Sequence, residues 1–305
     1  MNPKNNIESL QSRPWLYWPV LLAMAVMIPR LMEPYFGLLD DGAYLHSARE
    51  IVTHFSMCFR FLGGSGLFSP VAGLYYTFIY LLAGDAPRAF FLANTIILAF
   101  ITATIISFVR FRGGTGLQAS ASGVFFVLSG PVLENFYTNG KREVPQMFLL
   151  MSAILLLIAS AAAEKRWLRI LGALGTFVFL LLSCLTKEPT LVMAGIAIFW
   201  LLTQYLPLSA DGDRFKPPAA FVLVFTSVAA AIAFFAIRRG FVTVSFATGT
   251  YTEPYNFDAH RLLASGFAWT GYLLRDFPYL FPLSIILVLA GIRKKQRQGR
   301  LLQGL

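Results

Sequence analysis

The sequence predicts an all-α, polytopic transmembrane bundle of about eight spans, built as a single membrane domain over residues 1–305. Three observations lead to it. Of the 305 residues 57% are hydrophobic and only 13% charged, against about 25% charged in soluble domains, so little charge is left for a water-facing surface. Apolar runs recur at lengths that cross a hydrocarbon core of ~30 Å. Lysine and arginine gather in alternate short loops between those runs, the positive-inside pattern. The net charge of +10 therefore belongs to membrane orientation. No basic stripe is interleaved with exposed aromatics, which speaks against a nucleic-acid partner.

The first run, Trp15–Met32, contains Pro19 and Pro29 and lacks a small-residue cleavage site, so it reads as a retained span and not as a cleaved signal. Seven further runs follow: Ala89–Val109, Gly116–Leu133, Val144–Ala163, Trp167–Leu185, Pro189–Leu206, Pro217–Ile237 and Phe277–Ile292. A ninth stretch, Pro70–Gly84, is decided by charge. With Pro70–Gly84 at the interface, Arg110 and Arg112, then Lys165, Arg166 and Arg169, then Arg214 and Lys216, then the tail from Arg293 to Arg300 all share the side of Lys4 and Arg13. Counting it as a span reverses every later loop. Both termini are thus expected in the cytoplasm. The segments Glu33–Gly84, Glu134–Val144, Thr186–Pro189 and Arg238–Asp276 are expected on the outer face.

In the first outer loop, residues 33–84, Tyr44, Leu45, Ala48, Ile51, Val52, Phe55 and Phe59 recur at helical spacing, with His46, Arg49, Glu50 and Thr53 on other faces. This is an amphipathic helix expected on the outer surface. Gly63, Gly64 and Gly66 break the pattern; no Walker-type lysine follows them, so they read as a turn. No internal repeat is visible. Cys58 and Cys184 sit in apolar context and read as packing residues. His46, His54 and His260 lack metal-ligand spacing.

Ionisable residues at span ends facing one compartment point to a site, because charge near hydrocarbon is costly unless paired or hydrated. Asp40-Asp41-Gly42-Ala43-Tyr44 opens the amphipathic helix. One aspartate suffices as a cap, and a second adds like-charge repulsion that favours a shared proton or a bound cation. Asn139-Gly140-Lys141-Arg142-Glu143 closes the second outer loop, preceded by Glu134 and Tyr137. Thr186-Lys187-Glu188-Pro189 is wedged between two apolar runs, where a lysine at headgroup level is placed to bind phosphate.

In order and spacing, these features over roughly the first 200 residues resemble the GT-C glycosyltransferases, a superfamily that includes protein O-mannosyltransferases, the aminoarabinose transferases of lipid A and oligosaccharyltransferases. The resemblance implies transfer of a sugar from a polyprenyl-phosphate carrier to a glycan, lipid or protein acceptor at the outer face of the cell envelope, with inversion. It matches Asp40 to the leading acidic residue, a base or acceptor-orienting group, with Asp41 beside it. Tyr44 belongs to the same motif, Glu143 falls at the second acidic position, and Lys187, with Arg142 secondary, falls where the carrier phosphate is held. Members are both metal-dependent and metal-independent, so the acidic pair is a candidate for a divalent cation, Mg or Mn.

Two other classes compete. A transporter or flippase for a lipid-linked or amphipathic substrate places ionisable residues inside its spans near the midplane, whereas here the acids gather at one face. A noncatalytic assembly subunit tolerates removal of the acidic clusters. The orientation predicts that a cysteine introduced at Asp85 is labelled from outside by an impermeant maleimide and one at Thr115 only from the cytoplasm; the reverse result disperses the proposed site.

Overall fold

A chain can cross hydrocarbon only if its backbone is satisfied within the protein, which favours helices, and among the described residues every regular element is helical. The computed structural model describes residues 14–37, 40–60, 68–111, 113–205 and 217–241. The helices are α1 (Trp18–Val26), α2 (Ile28–Met32), α3 (Asp40–Thr53), α4 (Pro70–Ala83), α5 (Pro87–Phe111), α6 (Gly116–Val127), α7 (Gly130–Phe136), α8 (Glu143–Ala162), α9 (Arg166–Cys184), α10 (Val192–Tyr205) and α11 (Pro217–Phe241). The expected span Phe277–Ile292, nearly all of the segment Arg238–Asp276, the basic tail, Lys4, Arg13, Arg112, Arg214, Lys216, His260 and the glycines at 63, 64 and 66 lie outside the described residues. Asp40 is described by its backbone alone.

Among the described residues four helices are long and apolar enough to cross a bilayer: α5, α8, α9 and residues Phe221–Phe241 of α11. The pair α6 and α7, bent by 57°, makes a fifth when counted as one span. The 25 residues of α5 extend roughly 37 Å at 1.5 Å per residue. By the same rule the 14 residues of α4 reach only about 21 Å, short of the ~30 Å core.

Proline accounts for two of the breaks. Pro29 has no N–H to donate back to Ala25, so the first run divides at Met27 into α1 and α2. Pro131 likewise removes the bond to Val127; Ser129 turns extended at ψ 135°, and α7 departs at its own angle. The expected amphipathic helix forms as α3 but stops at Thr53, and Phe55–Arg60 continues as a 3-10 helix. Its apolar stripe is used inside the protein: Tyr44 and Ala48 are buried with Ala72, Tyr76 and Ile79 of α4 and with Phe90. Val52 and Phe55 remain exposed.

Around α5 the core gathers Ala23, Met27, Phe91, Leu98, Ile101, Val127, Phe136 and Val144. A second core joins Ala153 and Leu157 of α8 to Leu180 of α9, Ala197 of α10, and Leu223 and Ala230 of α11. Here the polarity is reversed relative to a soluble protein. Helix α9 buries Gly172, Thr176, Leu180 and Ser183, while Trp167, Leu171, Leu174 and Val178 are exposed. Small residues inside and large apolar ones outside suit packing in lipid, where close backbone approach replaces the hydrophobic drive.

The α8–α9 contact depends on that smallness. A Cβ added at Gly172 falls 2.6 Å from Cβ and 3.0 Å from Cα of Ser160, and Ser160 Oγ donates to the Arg169 carbonyl at 2.9 Å. Thr176 Oγ1 donates to the Gly172 carbonyl at 2.8 Å and also reaches the Ala153 carbonyl at 3.4 Å. Gly172→Leu is expected to cost about 1–3 kcal/mol through overpacking, read as a lowered melting temperature of the purified protein in detergent. Leu171→Phe, on the exposed face, should leave that temperature nearly unchanged.

Candidate active site

The site is assembled at the helix ends, where backbone groups lose their intrahelical partners and side chains must supply them. Asp41 does this across two loops. It lies on the buried stripe of α3 with Tyr44, Ala48 and Ile51, and is itself only 6% exposed. One carboxylate oxygen accepts the Gly37 N–H at 2.6 Å, and the other accepts the N–H of Gly140, in the loop between α7 and α8. Neither donor belongs to α3 itself, so Asp41 clamps two loops together instead of capping its own helix.

The loop after α7 is fixed at further points. The Tyr76 hydroxyl donates to the Asn139 carbonyl and accepts the Lys141 N–H at 3.0 Å. Burial, with Tyr75 as a smaller contribution, holds the Tyr76 phenol well above its ordinary pKa and keeps it a donor. The Tyr44 ring packs on Tyr76 at 4.7 Å between centroids. Asn94 of α5, 3% exposed, donates to the carbonyls of Phe136 at 3.2 Å and Thr138 at 3.3 Å, and accepts from the Tyr75 hydroxyl at 3.3 Å.

A second cluster joins the start of α8 to the turn after α9. Lys187 Nζ pairs with Glu143 Oε1, the two side chains being 23% and 32% exposed. Gln146 Nε2 donates to the Lys187 carbonyl at 3.2 Å and to Thr190 Oγ1 at 2.7 Å. Arg142 Nη1 donates to Ser69 Oγ at 2.6 Å, and Glu188 Oε1 accepts the Phe68 N–H at 3.2 Å. The Val71 N–H bonds to the Leu185 carbonyl at 3.2 Å. The entry to α4 is thereby fastened to both the second and third polar segments.

Of the residues marked from sequence, Asp41, Tyr44, Arg142, Glu143 and Lys187 thus stand at one end of the bundle, and Asp40 begins the same helix as Asp41 and Tyr44. The basic residues Arg110, Lys165, Arg166 and Arg169 lie at the other end. They occupy the C-terminus of α5, the α8–α9 turn and the first turn of α9, and α5 and α8 run side by side in the same direction with Phe100 against Phe148.

A half-open cavity of about 180 Å³ opens at the site end, lined by Arg30, Tyr35, Gly37, Asp41, Tyr137, Thr138, Gly140 and Lys141. Glu143, Lys187, Arg142 and Tyr44 do not line it. Of the two cationic residues on its wall, Lys141 stood in the second polar cluster without a role of its own, and Arg30 was not marked from sequence. The signal for Arg30 was present as an arginine inside the apolar run Trp15–Met32. Asn94, a lone amide in the apolar run of α5, was legible in the same way. Among the described residues no three His, Cys, Asp or Glu side chains gather as a metal centre would require.

Comparison with protein-family models, with curated proteins and with solved structures finds no match. The functional reading therefore stands on the chain's own residues. Asp41→Ala strands the buried Gly140 N–H and frees the Gly37 N–H, and is expected to cost about 2 kcal/mol. The melting temperature of the purified variant should fall accordingly, and an unchanged value would show that the clamp is dispensable.

Proposed function

We propose that the chain is a multi-pass membrane glycosyltransferase of GT-C type, moving a sugar from a polyprenyl-phosphate carrier to a glycan, lipid or protein acceptor at the outer face of the membrane. One observation supports this most: three polar segments, separated in sequence by apolar helices, converge at one bundle end through Asp41 with Gly140 and Glu143 with Lys187. The basic residues at the opposite end favour orienting the converged end away from the cytoplasm. In this reading the chain crosses eight times, with α4 at the interface and both termini cytoplasmic.

Because both Asp41 oxygens are engaged by backbone N–H groups, Asp40 is the member of the pair assigned to the acceptor. Its carboxylate takes the acceptor hydroxyl proton as the hydroxyl oxygen bonds to the anomeric carbon. The carrier phosphate departs with the bonding electrons of the sugar–phosphate bond, inverting the configuration. Asp41 is a positioning residue. Lys187 and Arg142 stabilise the leaving phosphate; the phosphate exchanges with the Glu143 carboxylate at Lys187, which is straightforward for a pair that is still partly exposed.

The test is incubation of the full chain, purified into nanodiscs, with labelled polyprenyl-phosphate sugars and candidate acceptors. Asp40→Asn is expected to lower transfer by about 100-fold or more, and Lys187→Ala to lower it by about tenfold or more, both with unchanged melting temperature. Full activity in Asp40→Asn removes Asp40 from the mechanism. Movement of the lipid-linked sugar across the bilayer without transfer would instead favour a flippase.

A further inference from the structure

The cavity walled by Arg30 and Lys141 is lined by neither Lys187 nor Arg142, where the GT-C resemblance places the carrier phosphate, and shares with the proposed reaction only the positioning residue Asp41. We propose that this cavity is a second anion site, which takes a single phosphate group between the Arg30 guanidinium and the Lys141 ammonium. The inference goes beyond the transferase reading and does not depend on it.

Charge decides the class of ligand. The lining carries two cations, Arg30 and Lys141, against one carboxylate, Asp41. That carboxylate is turned to the loops, each of its oxygens already accepting a backbone N–H. A cation entering here meets two like charges, whereas an oxyanion meets two donors and a carboxylate whose charge is largely spent on Gly37 and Gly140.

Arg30 is held ready for such a partner. Its guanidinium carbon lies 4.5 Å from the centre of the Tyr35 ring, 5.4 Å from that of Tyr137 and 5.8 Å from that of Phe91. Among the described residues no carboxylate pairs with it. Aromatic rings do not saturate the guanidinium N–H groups as a carboxylate would, and an arginine with such partners can still bind phosphate bidentately. A charge placed near hydrocarbon with aromatic partners alone is costly, and an anion offsets that cost.

Lys141 has a partner that yields. Its ammonium is 3.6 Å from Glu134 Oε1, and the Glu134 side chain is 72% exposed. Such a pair is weak and screened, so a phosphate bound to both cations displaces it. The loop that carries Lys141 is already pinned through Gly140 to Asp41 and through its own N–H to Tyr76. Binding therefore orders little further chain.

Size limits the ligand. At about 180 Å³ the cavity lies below the ~300–1,000 Å³ of sites that enclose a drug-sized molecule. It accepts one phosphate group and leaves the remainder of the ligand outside, through the open side. That suits a phosphate on a lipid at the membrane surface, or a free phosphate.

The full chain in phosphatidylcholine nanodiscs, titrated with inorganic phosphate by calorimetry, tests the free source. The thermal shift in nanodiscs containing phosphatidic acid, relative to phosphatidylcholine alone, tests the lipid source. Saturable binding in either arm supports the site and names its source. Arg30→Gln and Lys141→Gln should each weaken binding by about tenfold or more. Glu134→Gln should strengthen it by about two- to fivefold by removing the competitor. Lys165→Gln, an exposed cation at the other end, should change nothing. Should Arg30→Gln fail to fold, the pair Lys141→Gln and Glu134→Gln carries the test with opposite signs. No binding in either arm overturns the proposal, as does binding that Lys141→Gln and Lys165→Gln reduce alike.

Discussion

The buried carboxylate of Asp41 is the interaction on which this end of the molecule depends. It spans 99 positions of sequence to reach Gly140, and it does so from the buried stripe of α3, a place that an apolar side chain would ordinarily fill. A charge there is tolerable because two N–H donors meet it. The same bonds satisfy backbone that the ends of helices leave unpaired, which near hydrocarbon is a requirement. With Asp41 in place, Tyr76 and Asn94 complete the pinning of residues 136–141, and the cavity takes its walls from the result.

Helix α9 buries glycine, threonine and serine and exposes tryptophan and leucine, so its association with α8 rests on close backbone approach at Gly172 and Ser160. Packing of this kind fixes helix positions closely, because there is little side-chain volume to yield. That rigidity matters for the polar end: the Lys187–Glu143 pair forms only if the C-terminus of α9 and the N-terminus of α8 arrive level with one another.

Charges at the polar end divide into those with fixed backbone partners and those with weaker ones. Asp41 and Glu188 accept backbone N–H groups and hold loops, and Arg142 gives one of its N–H groups to Ser69 Oγ. Lys187 and Glu143 neutralise one another in a partly exposed pair. Arg30 and Lys141 face a cavity, the first among three aromatic rings and the second beside an exposed carboxylate. The division follows from burial, since buried charges need fixed partners and rim charges can exchange theirs.

Sequence alone determined the solvent and the element type. Runs such as Ala89–Val109 and Val144–Ala163 are too long and too apolar for anything but helices in lipid, and the spacing of Tyr44, Ala48 and Ile51 announced α3 because a helix repeats every 3.6 residues. It also marked Asp41, Glu143 and Lys187, since polar residues at the ends of apolar runs stand out in one dimension. What it could not decide was how each would be used. Whether Asp41 faces a substrate or a backbone N–H depends on where Gly140 lies, and whether the stripe of α3 meets lipid or α4 depends on a neighbour 30 positions away. Arg30, Lys141 and Asn94 became site residues only once three helix ends and a loop were brought together. Contacts between segments far apart in sequence leave no local period, and so only the tertiary structure could set them.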